Sequence, residues 1–322
     1  MAVYTEVATE TAAHLLRQLG LGDLTDLQGI RAGVENTNYY ATSTRGQWVL
    51  TVFERLSPDE AAYGLGLMRH VGLRGVPVPV PQADAVGHLV HTVAGKPAAV
   101  VTRLPGSHRT HPDRAHAGQV GHMLARLHQA ASSYGVMQRH PRGAAWRQRV
   151  AQEVLPHLDA AEATLLRDEI AFQDDLAASP AAASLPSGPI HGDLFRDNVM
   201  FDDTAGVDRL CGLFDFYFAG TDALLFDVAV CLNDWCTDLG TGRLEEERAA
   251  AFVDAYASVR PLVPAEVRLM PGLLRAAALR FWLSRLADRH APRAAALLQA
   301  KDPAHFARVL AERRARPWHP AC

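Results

Sequence analysis

The sequence predicts an α+β protein of two lobes: a small, strand-rich N-terminal lobe over residues 1–104 and a larger, mostly helical one over 105–322. Three observations carry this. Runs rich in β-branched and aromatic residues gather in the first third of the chain. Apolar residues spaced three to four apart dominate the rest. A length of 322 residues, 48% of them hydrophobic, has room for about two domains.

The elements follow in order. The opening "MAVYTEVATETAAHLLRQLG" carries Glu6 and Glu10 and lacks a basic n-region and a long apolar core, so it reads as an amphipathic helix, not a signal peptide. "NTNYYATS" and "QWVLTVFE", joined by the turn residues "TRG", predict a β-hairpin. Ser57 as N-cap and Pro58 at the first helical position, with acids in the first turn, start a helix. The prolines of "VPVPVPQ" hold the next stretch extended. "HLVHTV" and "AAVVTRL" are two further strands, closed by the breaker Pro105-Gly106. Helices run from "DRAHAGQVGHMLARLHQA" to "DPAHFARVLAERRA", and the Ala-rich stretch Ala177 to Ser187 reads as a loop. No internal repeat is present.

Composition excludes several function classes. A net charge of −3 gives no basic field for nucleic acid or acidic membranes. No segment approaches the roughly 18–20 unbroken apolar residues of a membrane span. Four dispersed cysteines, Cys211, Cys231, Cys236 and Cys322, make no disulfide framework, and the expectation is a reduced, cytoplasmic protein. Cys231 and Cys236 read as buried thiols. His108, His111 and His116 match no zinc spacing and read as a solvated hinge segment.

One stretch stands out chemically. "IHGDLFRDNVMFDD", Ile190 to Asp203, places one His, one Asn and four Asp between apolar segments that look like buried strands. Unpaired buried carboxylates are costly, so something must compensate them. Asp193 and Asn198 lie five apart on a loop between two short strands, and seventeen residues later Asp215 ends the apolar run "LCGLFDF". An acid, an Asn five residues on and a second acid on the next hairpin strand is the arrangement of phosphoryl-transfer sites. Asp193 would orient a substrate hydroxyl, and Asn198 and Asp215 would offer hard oxygens to Mg²⁺ held on nucleotide phosphates. A polar turn is the plain alternative; the preceding "HG", the flanking strands and "LFDF" argue against it. His191 reads as a structural residue that holds the loop. Asp227, inside the apolar helix "LLFDVAVCL", is either an acid bonding back to that loop, the favoured reading, or a helix terminus.

These residues resemble the aminoglycoside phosphotransferase-like kinases and, among them, the homoserine kinases. "GVENTNYYATSTRGQWVLTVFE" resembles that family's opening hairpin, "HGDLFRDNVMFD" its catalytic loop and "GLFDFYFAGTDALLFDVAVCLNDWC" its metal segment and following helix. The resemblance continues through "LRFWLSRLADRHAPR" and "KDPAHFARVL" and covers nearly the whole chain. Phe195-Arg196-Asp197, "NDWC" and "RFWLSRL" look particular to the homoserine kinases. The resemblance implies a two-lobed, protein-kinase-like fold, ATP and Mg²⁺ as cofactors, and transfer of the γ-phosphoryl to the side-chain hydroxyl of L-homoserine; the expected assembly, a monomer or homodimer, is not chosen by the sequence.

The strand "WVLTVFE" has Thr51 where most kinases of this shape carry a phosphate-pairing Lys. The chain has only two Lys, Lys96 and Lys301, against thirty Arg. Arg55, Arg103 or Mg²⁺ alone are the available counterions, and the sequence does not choose among them. The loop with Gly33, Asn36, Thr37 and Asn38 is expected to contact phosphates, although it is not a G-x-G-x-x-G. For the amino-acid substrate, Arg280 and Ser284 share a helix face and suit a carboxylate, Asp234 suits the ammonium, and Trp235 would wall the pocket; helix bridging, capping and core packing are their plain alternatives. Arg196 is expected to support the loop. Two other functions stand as alternatives: a kinase of the same fold acting on an antibiotic or choline, and a non-catalytic binding module. The paucity of acids in "RAAALRFWLSRLADRHAPRAA" argues against a polycationic substrate, and the presence of Asp193, Asn198 and Asp215 argues against the module.

Overall fold

The computed structural model describes residues 5–30, 35–203, 206–290 and 301–320. They divide into two compact units. The first runs to Gly106 and also takes Cys211–Tyr217; the second holds Ser107–Leu210 and, among the described residues, Phe218–His290 and 301–320. The return of Cys211–Tyr217 to the first unit was not suggested by the sequence.

The first unit contains α1 (Thr9–Gln18), β1 (Leu24–Gly29), β2 (Thr37–Ser43), β3 (Gly46–Val52), α2 (Pro58–Gly72), β4 (His91–Val93) and β5 (Lys96–Thr102). The five strands form one antiparallel sheet in the order β1-β2-β3-β5-β4. β1 lacks the β-branched, alternating pattern that marks the hairpin, and it exists through its pairing with β2. Strand side chains alternate between faces. Tyr39, Ala41, Leu50 and Val52 therefore turn to one side, where they bury with Ala12, Leu15 and Leu16 of α1. Asn38 and Thr51 are paired across β2 and β3 on the opposite face. α2 starts at a full capping box, with Ser57 and Glu60 each bonding the other's backbone N–H. The Cys211–Tyr217 segment packs into this unit: Leu213 N–H donates to the Pro77 carbonyl at 2.8 Å, and the Phe53 and Tyr217 rings meet edge to face at 4.7 Å.

The second unit is mainly helical, with α3 (Arg114–Ala131), α4 (Ala144–Val154), α5 (Ala160–Ala178), α6 (Pro180–Ala183), α7 (Leu224–Trp235), α8 (Glu246–Ala257), α9 (Pro264–His290) and α10 (Ala304–Ala315). Between α6 and α7 lie β6 (Ser187–Ile190), β7 (Val199–Asp202), β8 (Arg209–Leu213) and β9 (Gly220–Ala223); β6 and β9 pair antiparallel. The expected loop from Ala177 to Ser187 is corrected. Ala177 and Ala178 finish α5, and Ser179 caps the one-turn α6, accepting from Ala182 N–H at 3.2 Å with Pro180 at its start. Ala-rich sequence resists helix less than any other, and a Ser-Pro start suffices to begin one. His116 is also corrected. It does not lie in a solvated hinge: it completes the capping box of α3 with Asp113 and reaches Asp208 at 2.8 Å. Among the described residues no helix is long and apolar enough to cross a membrane.

α3 and α8 approach closely because Gly121 has no side chain; a Cβ there would stand 2.1 Å from the Phe252 carbonyl oxygen. That approach brings His128 of α3 against Tyr256 of α8.

Candidate active site

The loop after β6 is shaped by backbone constraints first. Gly192 takes φ +76°, a left-handed conformation, and a Cβ on it would meet His140 Nε2 at 2.9 Å and the Phe218 carbonyl at 3.0 Å. Only glycine fits between strand and loop here. Asp193 follows, then Leu194, Phe195 and the single 3-10 turn Arg196–Asn198, which delivers the chain into β7.

The loop is held from beneath by a buried acid. Both carboxylate oxygens of Asp227 accept backbone N–H groups, from His191 at 2.7 Å and from Gly192 at 2.8 Å. Burial alone would raise the pKa of Asp227, but hydrogen bonding and charge from His128, with His191, hold it below the ordinary carboxylate value. His128 Nε2 lies 3.1 Å from Asp227, and its Nδ1 lies 2.8 Å from the Tyr256 hydroxyl. Arg260 donates to that hydroxyl at 3.0 Å and pairs with fully buried Glu266 at 3.0 Å. Arg260 can only donate to the Tyr256 hydroxyl, and a carboxylate can only accept, so His128 presents Nε2–H to Asp227 while its Nδ1 shares a hydrogen bond with Tyr256. Each member of this chain thus fixes the next as far as the loop backbone.

The catalytic-loop residues are placed as follows. His191 is fully buried, and its Nδ1 accepts from Asp193 N–H at 3.3 Å. Asp193 keeps 18% of its side chain exposed, and Arg280 donates to its Oδ1 at 3.3 Å. Asn198 donates to the Asp193 carbonyl at 2.8 Å. The same amide nitrogen also reaches Asp193 Oδ2 at 3.5 Å, and the Asn198 oxygen bonds no described residue. Arg196 donates from its backbone and side chain to Asp234 Oδ2, at 2.8 and 3.1 Å, and its guanidinium also reaches the Asp234 carbonyl and that of Thr110. Asp234 is buried; burial raises its pKa against the opposing pull of Arg196.

Trp235 does not wall a solvent-facing pocket. It is fully buried, and its indole N–H donates to the Leu194 carbonyl at 3.0 Å, so it supports the loop from the core. The same carbonyl receives the Cys231 thiol at 3.5 Å. Burial pushes the Cys231 thiol up and that of Cys236 up to about 12, which keeps both neutral. Ser284 is half-buried on α9. Phe195, Phe281 and Phe306 stack beside Asp193, with centroids 4.3 Å apart for the first pair and 5.1 Å for the second.

In the first unit, Thr51 is 3% exposed; its hydroxyl donates to Asn38 Oδ1 at 2.7 Å and shares a hydrogen bond with Tyr217. Burial, with the charge of Asp215, pushes the Tyr217 pKa up. The segment bearing Asp215 therefore lies on the Thr51 face of the sheet. Asp215 itself has φ +68°, uncommon for a residue with a side chain and typical of strained functional positions. Arg103 stacks its guanidinium 4.1 Å from the centroid of Tyr40, on this same face. Thr37 is fully buried, its hydroxyl donating to Glu54 at 2.6 Å, and Asn36 Oδ1 accepts from Glu54 N–H at 3.4 Å. Lys96 is committed as well, to Glu54 at 2.5 Å and Thr5 at 2.8 Å. Gly33 lies outside the described residues.

Sequence reasoning missed His128, Tyr256, Arg260 and Glu266. A His on the apolar stripe of "MLARLH" was the one available signal, since a buried imidazole needs partners.

A family model described as the phosphotransferase enzyme family matches residues 26–262. The chain belongs to this family. Within it, the chain groups with the homoserine kinases: it is 51% identical over 318 residues to the homoserine kinase of Polaromonas naphthalenivorans strain CJ2, with 99% of each chain covered. It is 48% identical over 310 residues to that of Janthinobacterium sp. strain Marseille, covering 96% of this chain and 95% of that one. Among solved structures it is similar to amicoumacin kinase in complex with AMP-PNP, Ca²⁺ and Ami, at TM-score 0.68 and 18% identity over 94% of this chain and 92% of that one. It is also similar to the Plasmodium vivax ethanolamine kinase, at TM-score 0.62 and 13% identity over 90% and 82%. The fold is that of these phosphotransferases, α+β with an antiparallel sheet and a helical remainder.

Proposed function

We propose that this chain is an ATP- and Mg²⁺-dependent kinase that phosphorylates the side-chain hydroxyl of L-homoserine in the cytoplasm. The observation that carries the reading is near-full-length identity of about half to curated homoserine kinases, in a chain whose Asp193 is held partly exposed on a rigid loop. Asp193 accepts the hydroxyl proton as the oxygen bonds to the γ-phosphorus and ADP departs. Arg280 fixes the Asp193 carboxylate through Oδ1 for that task.

The donor set suits Mg²⁺. Asn198 and Asp215 each bring a hard oxygen, and Mg²⁺ is commonly held by one or two such groups together with substrate phosphates. When bound, the ion neutralises charge on the transferring phosphoryl group. The Thr51 face serves the nucleotide, with Arg103, stacked on Tyr40, as the counterion in place of the missing Lys. Buried Thr37, Thr51 and Asn36 shape the strand ends, so their contribution to phosphate contact, with that of Asn38, comes through backbone as much as side chains. Asp234 acts through Arg196, holding the loop beside the substrate's ammonium.

The test is ADP release, followed with a coupling system, on L-homoserine, L-serine, choline and kanamycin. L-Homoserine is expected to give the highest kcat/KM, by roughly tenfold or more over L-serine, since one methylene in a shaped pocket is worth about 1–3 kcal/mol. A higher value for kanamycin or choline overturns the reading.

A further inference from the structure

Three guanidiniums surround the catalytic loop in the second unit, and they are unequally employed. Arg196 is spent on Asp234 and on two backbone carbonyls. Arg280 is 4% exposed, bonded to Asp193 and flanked by the Phe281 ring at 3.7 Å and the Phe218 ring at 5.1 Å. Arg285 is half-buried and makes one hydrogen bond among the described residues, from NH1 to the Asp302 carbonyl at 2.9 Å. Its guanidinium lies 4.4 Å from the centroid of Phe306, the ring that stacks on Phe281 and, at 6.0 Å, on Phe195. The phenyl stack thus carries the Arg285 fork towards the loop whose Asp193 stands two residues before Phe195. Asp193, Asp197 and Asp234 are all near enough to act on the charge of Arg285.

We infer that Arg285, not Arg280, is the specificity-determining residue that grips the α-carboxylate of the amino-acid substrate. The inference rests on the homoserine reading above. A guanidinium backed by an aromatic face is pre-organised for a planar carboxylate, and most of its five N–H donors remain for one. Arg280, by contrast, is 4% exposed and already faces the Asp193 carboxylate.

The experiment compares wild type with Arg285→Gln and Arg285→Lys on L-homoserine and on L-homoserine amide, whose carboxamide keeps the shape and loses the charge. Arg285→Gln is expected to raise KM for L-homoserine roughly ten- to hundredfold, the range for a hydrogen bond to a charged group. On the amide it is expected to stay within about twofold of wild type, with KM for ATP and the melting temperature unchanged. Arg285→Lys, which keeps the charge but not the fork, is expected to fall between. Equal losses on both substrates, or none on either, overturn the role of Arg285 while leaving the homoserine reading intact. A wild-type protein that turns over the other hydroxyl compounds but not L-homoserine overturns both.

Discussion

The two units hold their polar residues by opposite strategies. In the second, the loop of Asp193 is fixed by side chains distant in sequence: Asp227 on α7, His128 on α3, Tyr256 on α8, then Arg260 and Glu266. All but Arg260 are nearly or fully buried. In the first, Thr37, Glu54, Lys96 and Thr5 form a cluster at strand ends, with Lys96 still 40% exposed. The contrast teaches that precision is invested where the chemistry is. A dry network tolerates no missing partner, whereas a partly wet one can replace a lost bond with water.

The largest expected effect lies in the chemistry itself. Asp193→Asn should lower kcat by roughly 10²- to 10⁴-fold in the coupled assay, with a melting temperature close to wild type. A variant within twofold of wild type removes Asp193 from the mechanism. Next comes the base of the network. Asp227→Ala leaves two buried N–H groups and His128 without their acceptor and should cost about 3–5 kcal/mol in urea unfolding. Tyr256→Phe is milder, about 1–2 kcal/mol, because it orphans His128 Nδ1 and one Arg260 donor. A cost equal to that of Asp227→Ala would show that the whole chain acts as one unit.

The smaller effects belong to the first unit. Lys96→Met should cost about 1 kcal/mol or less, and the cost should shrink in high salt, as for any partly exposed pair. Acid unfolding sharpens the comparison. The pKa of Glu54 is lowered: burial raises it, but bonds from Lys96, Thr37 and Thr5 prevail. Asp227 is lowered too. For both, the stabilisation is complete above the unfolded carboxylate pKa and is lost as pH falls through the folded one. Asp208, held down to about 2 by its Arg109 bonds and, against some desolvation, by His116, loses its share last. Stability measured from pH 7 downwards should therefore stay level to about pH 5 and then fall. Asp227→Ala should flatten that fall more than Lys96→Met.

What was legible in the sequence divides along the same line. The hairpin, the capped helix α2 and the run from Asp193 to Asn198 are local: alternation, a Ser-Pro start and a spacing of five announce them. The role of Asp227 was also readable, since an acid in an apolar helix needs a backbone or a charge to answer it. Trp235 was not. An indole beside a candidate site looks the same whether it lines a pocket or lies beneath the floor, and only packing separates the two. β1 and the pairing of Arg196 with Asp234, 38 residues on, depend on tertiary partners that no local pattern encodes.

The membership of Cys211–Tyr217 in the first unit has a consequence for biosynthesis. That segment emerges about 110 residues after Gly106. At roughly 5–20 residues per second, a ribosome delivers it on the order of 6 to 20 s later. Until then Phe53, Gly64 and Pro77 lack the neighbours that Tyr217, Phe216 and Leu213 provide. The N-terminal sheet must wait, half-covered, for a strand from the other half of the gene. A fragment ending at Gly106 is therefore a nascent chain arrested before its last piece arrives, and it should bind a hydrophobic dye where the full-length protein does not.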